Sequence, residues 1–306
     1  MTALGAWLRA ARLPSLAYLW LPLLLGEGIA FRQHGAWSAW LAGWVLAYGT
    51  CTQLWIVFAN DLADEAADRL NGSPTFLSGG GRMLVEGRLS RRALRRAAAA
   101  AAAGALLSAA VVAAAPGRAG VLPLAAFGLA LLWAYSFPPL RVSYRGGGEW
   151  LQAVGLGAVL PVLGYWAQAG TLAGWPVVLL PPLLAVNVAV AMATALPDEA
   201  GDRLAAKHTV VVVHGALRAS GRILGALLAG LVGWAAVRAD VPGFAWPAGW
   251  HLGPALAAWG LAALMLAREP QAPPERRLPF VLAAILAALA WVGALATDLW
   301  LGGGPR

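Results

Sequence analysis

The chain has a single cysteine, Cys51, in 306 residues, which excludes an intramolecular disulfide. Charge is equally scarce. Asp, Glu, Lys and Arg make up 12% of the sequence, against 60% apolar residues. With a mean hydropathy of +0.68, this composition leaves little room for a separate soluble domain and predicts an all-α, polytopic membrane bundle. The net charge of +8 does not suggest nucleic acid, because the basic residues are scattered between apolar runs. Acids are the rarest group, with 14 Asp and Glu in all.

What is abundant is apolar sequence. Nine segments, roughly 13–31, 38–59, 97–115, 119–137, 150–167, 174–196, 219–237, 251–267 and 279–301, approach the ~20 residues that a bilayer demands. The first is too long for a signal-peptide core and reads as an uncleaved span. Taking alternate loops from the N-terminus, Arg32, Arg118, Arg238 and Arg306 fall on one side, and the other 18 of the 22 Lys and Arg fall on the opposite one. By the positive-inside rule the N-terminus is cytoplasmic and the C-terminus is outside, as an odd number of spans requires. The expected molecule is one integral-membrane domain, 1–306, with halves at about 1–137 and 138–306, in the cell membrane. The basic run Arg91, Arg92, Arg95 and Arg96 reads as an anchor for anionic lipid.

Six of the 14 acids lie in two short copies of one pattern, and a seventh, Asp61, precedes the first. Residues 64–70 read DEAADRL and 198–204 read DEAGDRL. Asp64 and Asp68, and Asp198 and Asp202, stand four apart, one helical turn, so each pair shares a helix face. Asn60 and Asp61 extend the first face backwards. Carboxylates gathered in this way repel one another unless a cation lies between them. An oxygen-only set suits Mg²⁺, which binds through a few carboxylates plus substrate phosphates. Arg and Lys lie nearby: Arg82 after the glycines of Ser78–Gly81, Arg141 and Arg145 around Tyr144, and Lys207 five residues after Asp202. Two Mg²⁺ clusters ringed by cations describe a diphosphate site on the cytoplasmic side. Trp133, Tyr135, Phe137 and Tyr165 offer aromatic faces to a carbocation, although ordinary packing or an interfacial belt explains each one better.

These residues also carry a resemblance. Asn60-Asp61-Leu62-Ala63-Asp64-Glu65-Ala66-Ala67-Asp68 resembles the NDxxDxxxD motif of the UbiA superfamily of intramembrane prenyltransferases, and Asp198 to Asp202 resembles its second motif, DxxxD. Tyr135-Ser136-Phe137-Pro138-Pro139-Leu140-Arg141 is similar to its YSxPPxR segment, and Pro197 to Thr209 to its PDxxxDRxxGKRT stretch. The resemblance runs from about Arg12 to Gly215. It implies a nine-helix bundle with the two motifs facing across a central cavity. It also implies Mg²⁺-dependent transfer of a prenyl group from its diphosphate to an aromatic acceptor. Asn60, Asp64, Asp68, Asp198 and Asp202 would hold metal and diphosphate, with Asp61 in support. Lys207, Arg141 and Arg12 are expected to contact the diphosphate, with Arg82, Arg145 and Tyr144 beside them. No obligate protein partner is inferred.

Gln53 and the Ser-Gly-Gly-Gly-Arg segment resemble the branch that prenylates 1,4-dihydroxy-2-naphthoate in menaquinone synthesis. Val57, the plain DxxxD spacing and His208 depart from it. The naphthoate therefore leads only slightly over 4-hydroxybenzoate and other aromatic acceptors. A membrane terpene cyclase would carry the same motifs. A cation-coupled permease would place its charges near the bilayer midplane, whereas these lie at helix ends. Asn187, deep in the sixth span, is expected to bond between helices.

Overall fold

A computed structural model describes residues 2–70 and 82–302. The glycines of Ser78–Gly81, and Arg306, lie outside the described residues. All regular elements among the described residues are helical: α1 Ala3–Ala11, α2 Leu16–His34, α3 Ala39–Ala63, α4 Glu65–Leu70, α5 Arg91–Ala113, α6 Val121–Ser136, α7 Val142–Arg145, α8 Gly148–Val154, α9 Leu160–Ala169, α10 Leu180–Ala195, α11 Glu199–Leu204, α12 Val210–His214, α13 Ala216–Val237, α14 Ala248–Arg268 and α15 Leu278–Leu301. A π-helical turn, Gly155–Val159, joins α8 to α9 as one rod. Eight stretches are long and apolar enough to cross a membrane, and α6 is an apolar helix of 16 residues. These match the nine expected spans.

The spans close into a ring. Each packs on the next in the order α2, α3, α5, α6, α8, α10, α13, α14 and α15, and α15 returns to α2. The α2 and α9 backbones touch inside this ring. A Cβ on Gly26 would stand 1.9 Å from the Pro161 carbonyl oxygen, and one on Gly164 would stand 2.2 Å from that of Leu23. Glycine is needed at both positions for the close approach. One apolar core fills the space around α10, α13, α14 and α15, and another fills the space around α3, α5, α6 and α9. Leu107, Val232 and Leu286 are more than half exposed on the outer faces, where lipid replaces water as the solvent.

Three features differ from the sequence expectations. The N-terminal residues form a separate helix, α1, capped by the Thr2 side chain. It buries Ala6, Ala10 and Ala11, leaves Leu4 and Leu8 exposed, and sets Trp7 edge-on to Phe58 of α3. Secondly, neither acidic motif lies on one continuous helix. Membrane helix α3 ends at Ala63 and α10 at Ala195, and each gives way to a six-residue helix. Thirdly, Asn187 donates to the Leu183 carbonyl within its own helix at 2.8 Å. A polar side chain in a helix can satisfy itself on the carbonyl one turn back.

Candidate active site

The repeated sequence folds twice in the same way. Asp64 ends α3 with φ −98° and ψ 7°, and Asp198 precedes α11 with φ −93° and ψ 0°. Each is followed by one short helix, α4 or α11, in which the second motif aspartate falls. In each copy the glutamate turns outward to the arginine four residues on: Arg69 to Glu65 at 2.8 Å, and Arg203 to Glu199 at 3.0 Å. The two short helices pack against each other, which brings the motifs to one place.

That place is the polar end of a cavity of about 570 Å³. Asn60, Asp64, Asp68, Asp198, Asp202, Lys207 and Arg12 all line it. Lys207 Nζ lies between the motifs, 2.8 Å from Asp64 Oδ2 and 3.3 Å from Asp202 Oδ1. The Tyr144 hydroxyl donates to Asp64 Oδ1 at 2.9 Å, and the Ser136 hydroxyl donates to Asn60 Oδ1 at 3.2 Å. Burial alone would lower the Lys207 ammonium, but the Asp64 and Asp202 carboxylates overcome it and hold it above the ordinary lysine value. Burial, then the Asp64 and Asp61 charges, push the Asp68 carboxyl up to about 7. Burial and Asp64 together raise the Tyr144 phenol to about 12.

Not every expected residue reaches the cavity. Asp61 is buried and accepts from the Arg12 guanidinium. One residue after Asn60, it lies around the helix from the cavity wall. Arg141 stacks its guanidinium 3.5 Å over the Tyr144 ring and so reaches the site only through it. Arg82 donates to the Asp68 carbonyl at 3.3 Å and pairs with Glu86 at 3.8 Å, which ties down the short helix α4. Arg145 is exposed at the end of α7, outside the cavity. Among the aromatics, Tyr135 lines the cavity, whereas Trp133 stacks on Phe137 and Tyr165 bonds to Gln33 and Ala173.

Arg9 is a lining residue that sequence reasoning missed. Its signal was a position one turn before Arg12. Glu149 was also passed over. It is buried and accepts the Val210 N–H at 2.7 Å, so its charge caps α12 and fixes the loop that carries Lys207. The backbone holds a further sign. Four described non-glycine residues have positive φ: Arg12 (46°), Arg82 (54°), Arg141 (45°) and Ala206 (56°). Three are arginines at the cavity mouth or its supports, and the fourth precedes Lys207. Left-handed backbone at non-glycine residues costs of order 1 kcal/mol or more and gathers at working sites.

Beyond the acids the walls turn apolar. Leu19, Ile56, Val57, Leu131, Leu132, Leu156, Val159 and Leu160 line the deeper part, with Tyr48, Thr52, Gln53 and Gln152 among them. An acidic, cation-bridged mouth over an apolar chamber suits an amphiphile with a polyanionic head. Among the described residues no three His, Cys, Asp or Glu side chains form a ready metal-ligand group, and Lys207 supplies the cation between the motifs. The donors that face the cavity at the motifs are oxygens, the set that a hard divalent ion takes.

The profile of the UbiA prenyltransferase family matches residues 19–281. No curated protein matches in sequence. A UbiA homologue from Archaeoglobus fulgidus, solved with DMAPP and Mg²⁺, is 21% identical with a TM-score of 0.65, over 95% of this chain and 99% of that one. An apo UbiA homologue from Aeropyrum pernix K1 is 20% identical with a TM-score of 0.65, over 94% and 97%. A digeranylgeranylglyceryl phosphate synthase is 15% identical with a TM-score of 0.64, over 98% and 99%. The fold is shared along nearly the whole length, and the family match spans most of the sequence: the chain belongs to the UbiA prenyltransferase family.

Proposed function

We propose that this protein transfers a prenyl group from its diphosphate to an aromatic acceptor, with two Mg²⁺ ions and with the active site on the cytoplasmic face. The observation that carries this reading is the convergence of both acidic motifs and Lys207 on one end of an otherwise apolar cavity. The Arg and Lys asymmetry supports the cytoplasmic side. Asn60, Asp64, Asp68, Asp198 and Asp202 would hold the metal, as the oxygen donor set and the cation-bridged gap between Asp64 and Asp202 suit. Bound Mg²⁺ neutralises diphosphate oxygens and so makes the allylic C–O bond easier to ionise.

The protein's own groups supply the rest. Lys207, Arg12 and Arg9 bring positive charge to the leaving diphosphate. Tyr144, with Arg141 stacked on it, holds Asp64 in place. The apolar walls keep water from the cation until the acceptor meets it, and Tyr135 presents a ring at the cavity edge. Gln53, Thr52, Gln152 and Thr194 are the polar groups available to orient an acceptor. With Gln53 on the wall, 1,4-dihydroxy-2-naphthoate is the acceptor to try first, and 4-hydroxybenzoate the second.

The test is product mass. The purified protein in lipid nanodiscs is incubated with Mg²⁺, a prenyl diphosphate and a panel of aromatic acids. A prenylated aromatic is expected. Hydrocarbon formed without any acceptor would make the protein a cyclase, and unconsumed diphosphate would sink the reading.

A further inference from the structure

Gly155 has no local reason to be glycine. Its φ of −57° is ordinary helix, and glycine is the poorest helix former after proline. Packing does not demand it either, because a Cβ there would meet nothing within 4 Å. Gly26 and Gly164, by contrast, are wedged against backbone. Gly155 does line the cavity, and it opens the π-helical turn Gly155–Val159, a distortion that is rare in proteins and frequent at functional sites. Its missing side chain leaves space in the chamber.

The level of that space follows from the helices. Ser136 bonds Asn60, and a Cβ on Gly148 would stand 2.8 Å from the Tyr135 ring, so Asn60, Ser136 and Gly148 share the mouth level. Gly155 is seven residues further along its helix, about 10 Å deeper at the helical rise. Tyr48 is twelve residues from Asn60, about 18 Å in. There Tyr48 and Val159 come together over Gly128, whose Cβ would stand 3.1 Å from the Tyr48 hydroxyl and 3.2 Å from Val159 Cγ1. These residues form the floor. An extended isoprene unit advances about 5 Å, four bonds at the rate at which a trans peptide covers ~3.8 Å in three. With the diphosphate at the acids, two units end near Gly155, and a third or fourth must pass it to reach the floor.

We propose that Gly155 sets the length of prenyl tail the cavity admits, by leaving open the passage from the acidic mouth to the apolar floor. The inference rests on the prenyl-transfer reading above. Gly155→Ala adds a Cβ that meets nothing within 4 Å, and Gly155→Leu extends further into the passage, so the two narrow it in steps. The experiment measures binding of five-carbon and twenty-carbon prenyl thiolodiphosphates, which do not turn over, to the wild type and both variants in Mg²⁺. For Gly155→Leu, affinity for the twenty-carbon probe should fall at least tenfold more than for the five-carbon probe, with Gly155→Ala between. Gly155→Ala should melt no lower than the wild type, because alanine is the better helix former. Equal loss for both probes, or no loss for either, overturns the proposal. A purely structural role for the π-turn predicts equal loss and a lower melting temperature. Absence of transfer by the wild type would instead overturn the functional reading, while the binding series still reports whether length is sensed at this position.

Discussion

Lys207→Met removes the cation between the two motifs and keeps most of the side chain's apolar length. The side chains of Lys207, Asp64 and Asp202 are only 11%, 6% and 9% exposed. Breaking a buried ion pair by removing one partner costs ~3–5 kcal/mol, because the remaining charge is left uncompensated. Here two carboxylates are stranded, but they open on a cavity with a polar mouth, where the effective dielectric lies nearer 20 than 4. A cost at or just below the bottom of that range, about 2–3 kcal/mol, is therefore expected. At roughly 2 °C per kcal/mol for a large chain, the melting temperature in EDTA should fall by about 4–6 °C.

The informative quantity is the response to metal. If the two motifs demand a cation, Mg²⁺ supplies what the variant lacks, and the gap between variant and wild type narrows as Mg²⁺ is added. The assay is thermal unfolding in detergent at one scan rate, across a Mg²⁺ series, with Ca²⁺ as comparison. Affinity for a prenyl diphosphate should also fall more than affinity for the acceptor, because the ammonium is a point charge suited to a phosphate oxygen. An unchanged melting temperature in EDTA, or a gap that Mg²⁺ does not narrow, would refute the argument.

Further outcomes are expected. Asp64→Asn and Asp198→Asn should each lower turnover by on the order of 10²-fold, the scale for losing one preorganised electrostatic group. The double change should cost far less than the product, since both serve one unit, and additive losses would contradict a shared site. Glu65→Gln and Glu199→Gln should be mild, because both glutamates turn outward to arginines. In EDTA, Asp68, raised to about 7 by burial and by Asp64 and Asp61, holds a proton that the unfolded chain, at ~3.9, has released. Its contribution to stability is then full below about pH 4 and lost as pH rises to about 7. Asp68→Asn should flatten that part of the melting profile. A cysteine placed at Asp64 should react with impermeant reagents only from the cytoplasmic side, and labelling from outside would invert the topology.

The membrane spans were legible because ~20 apolar residues have few other fates. The ring was not, since apolar runs do not say which neighbour they face. Helix α1 escaped notice because its buried face is three alanines, Ala6, Ala10 and Ala11, with arginine close by. The acids were legible through repetition, and their convergence was expected. Their helical continuity was misjudged, because spacing alone cannot separate one turn of an existing helix from a break followed by a new one. Lys207 was found by proximity in sequence. Arg141 was reached through the resemblance of Tyr135–Arg141 to the YSxPPxR segment, but it stands at one remove, because Tyr144 lies between it and Asp64. Nothing local in the sequence points to Glu149, whose partner, the Val210 N–H, is 61 residues away.

The break in each helix explains why the two copies of one heptad serve a single site. A continuous α3 would carry Asp68 onward along the bundle axis, away from α10. Ending the helix at Asp64 lets α4 turn and pack against α11, so four aspartates from two distant spans face one cavity. The copies then differ in what balances them. The first is backed by Arg12 on Asp61 and by Tyr144 on Asp64, and the second is followed by Lys207, which reaches across to the first. Because Lys207 contacts an acid of each copy, the halves are coupled electrostatically before any ligand arrives. A substitution in either copy should therefore be felt in the other, as the predicted non-additivity of Asp64→Asn and Asp198→Asn requires.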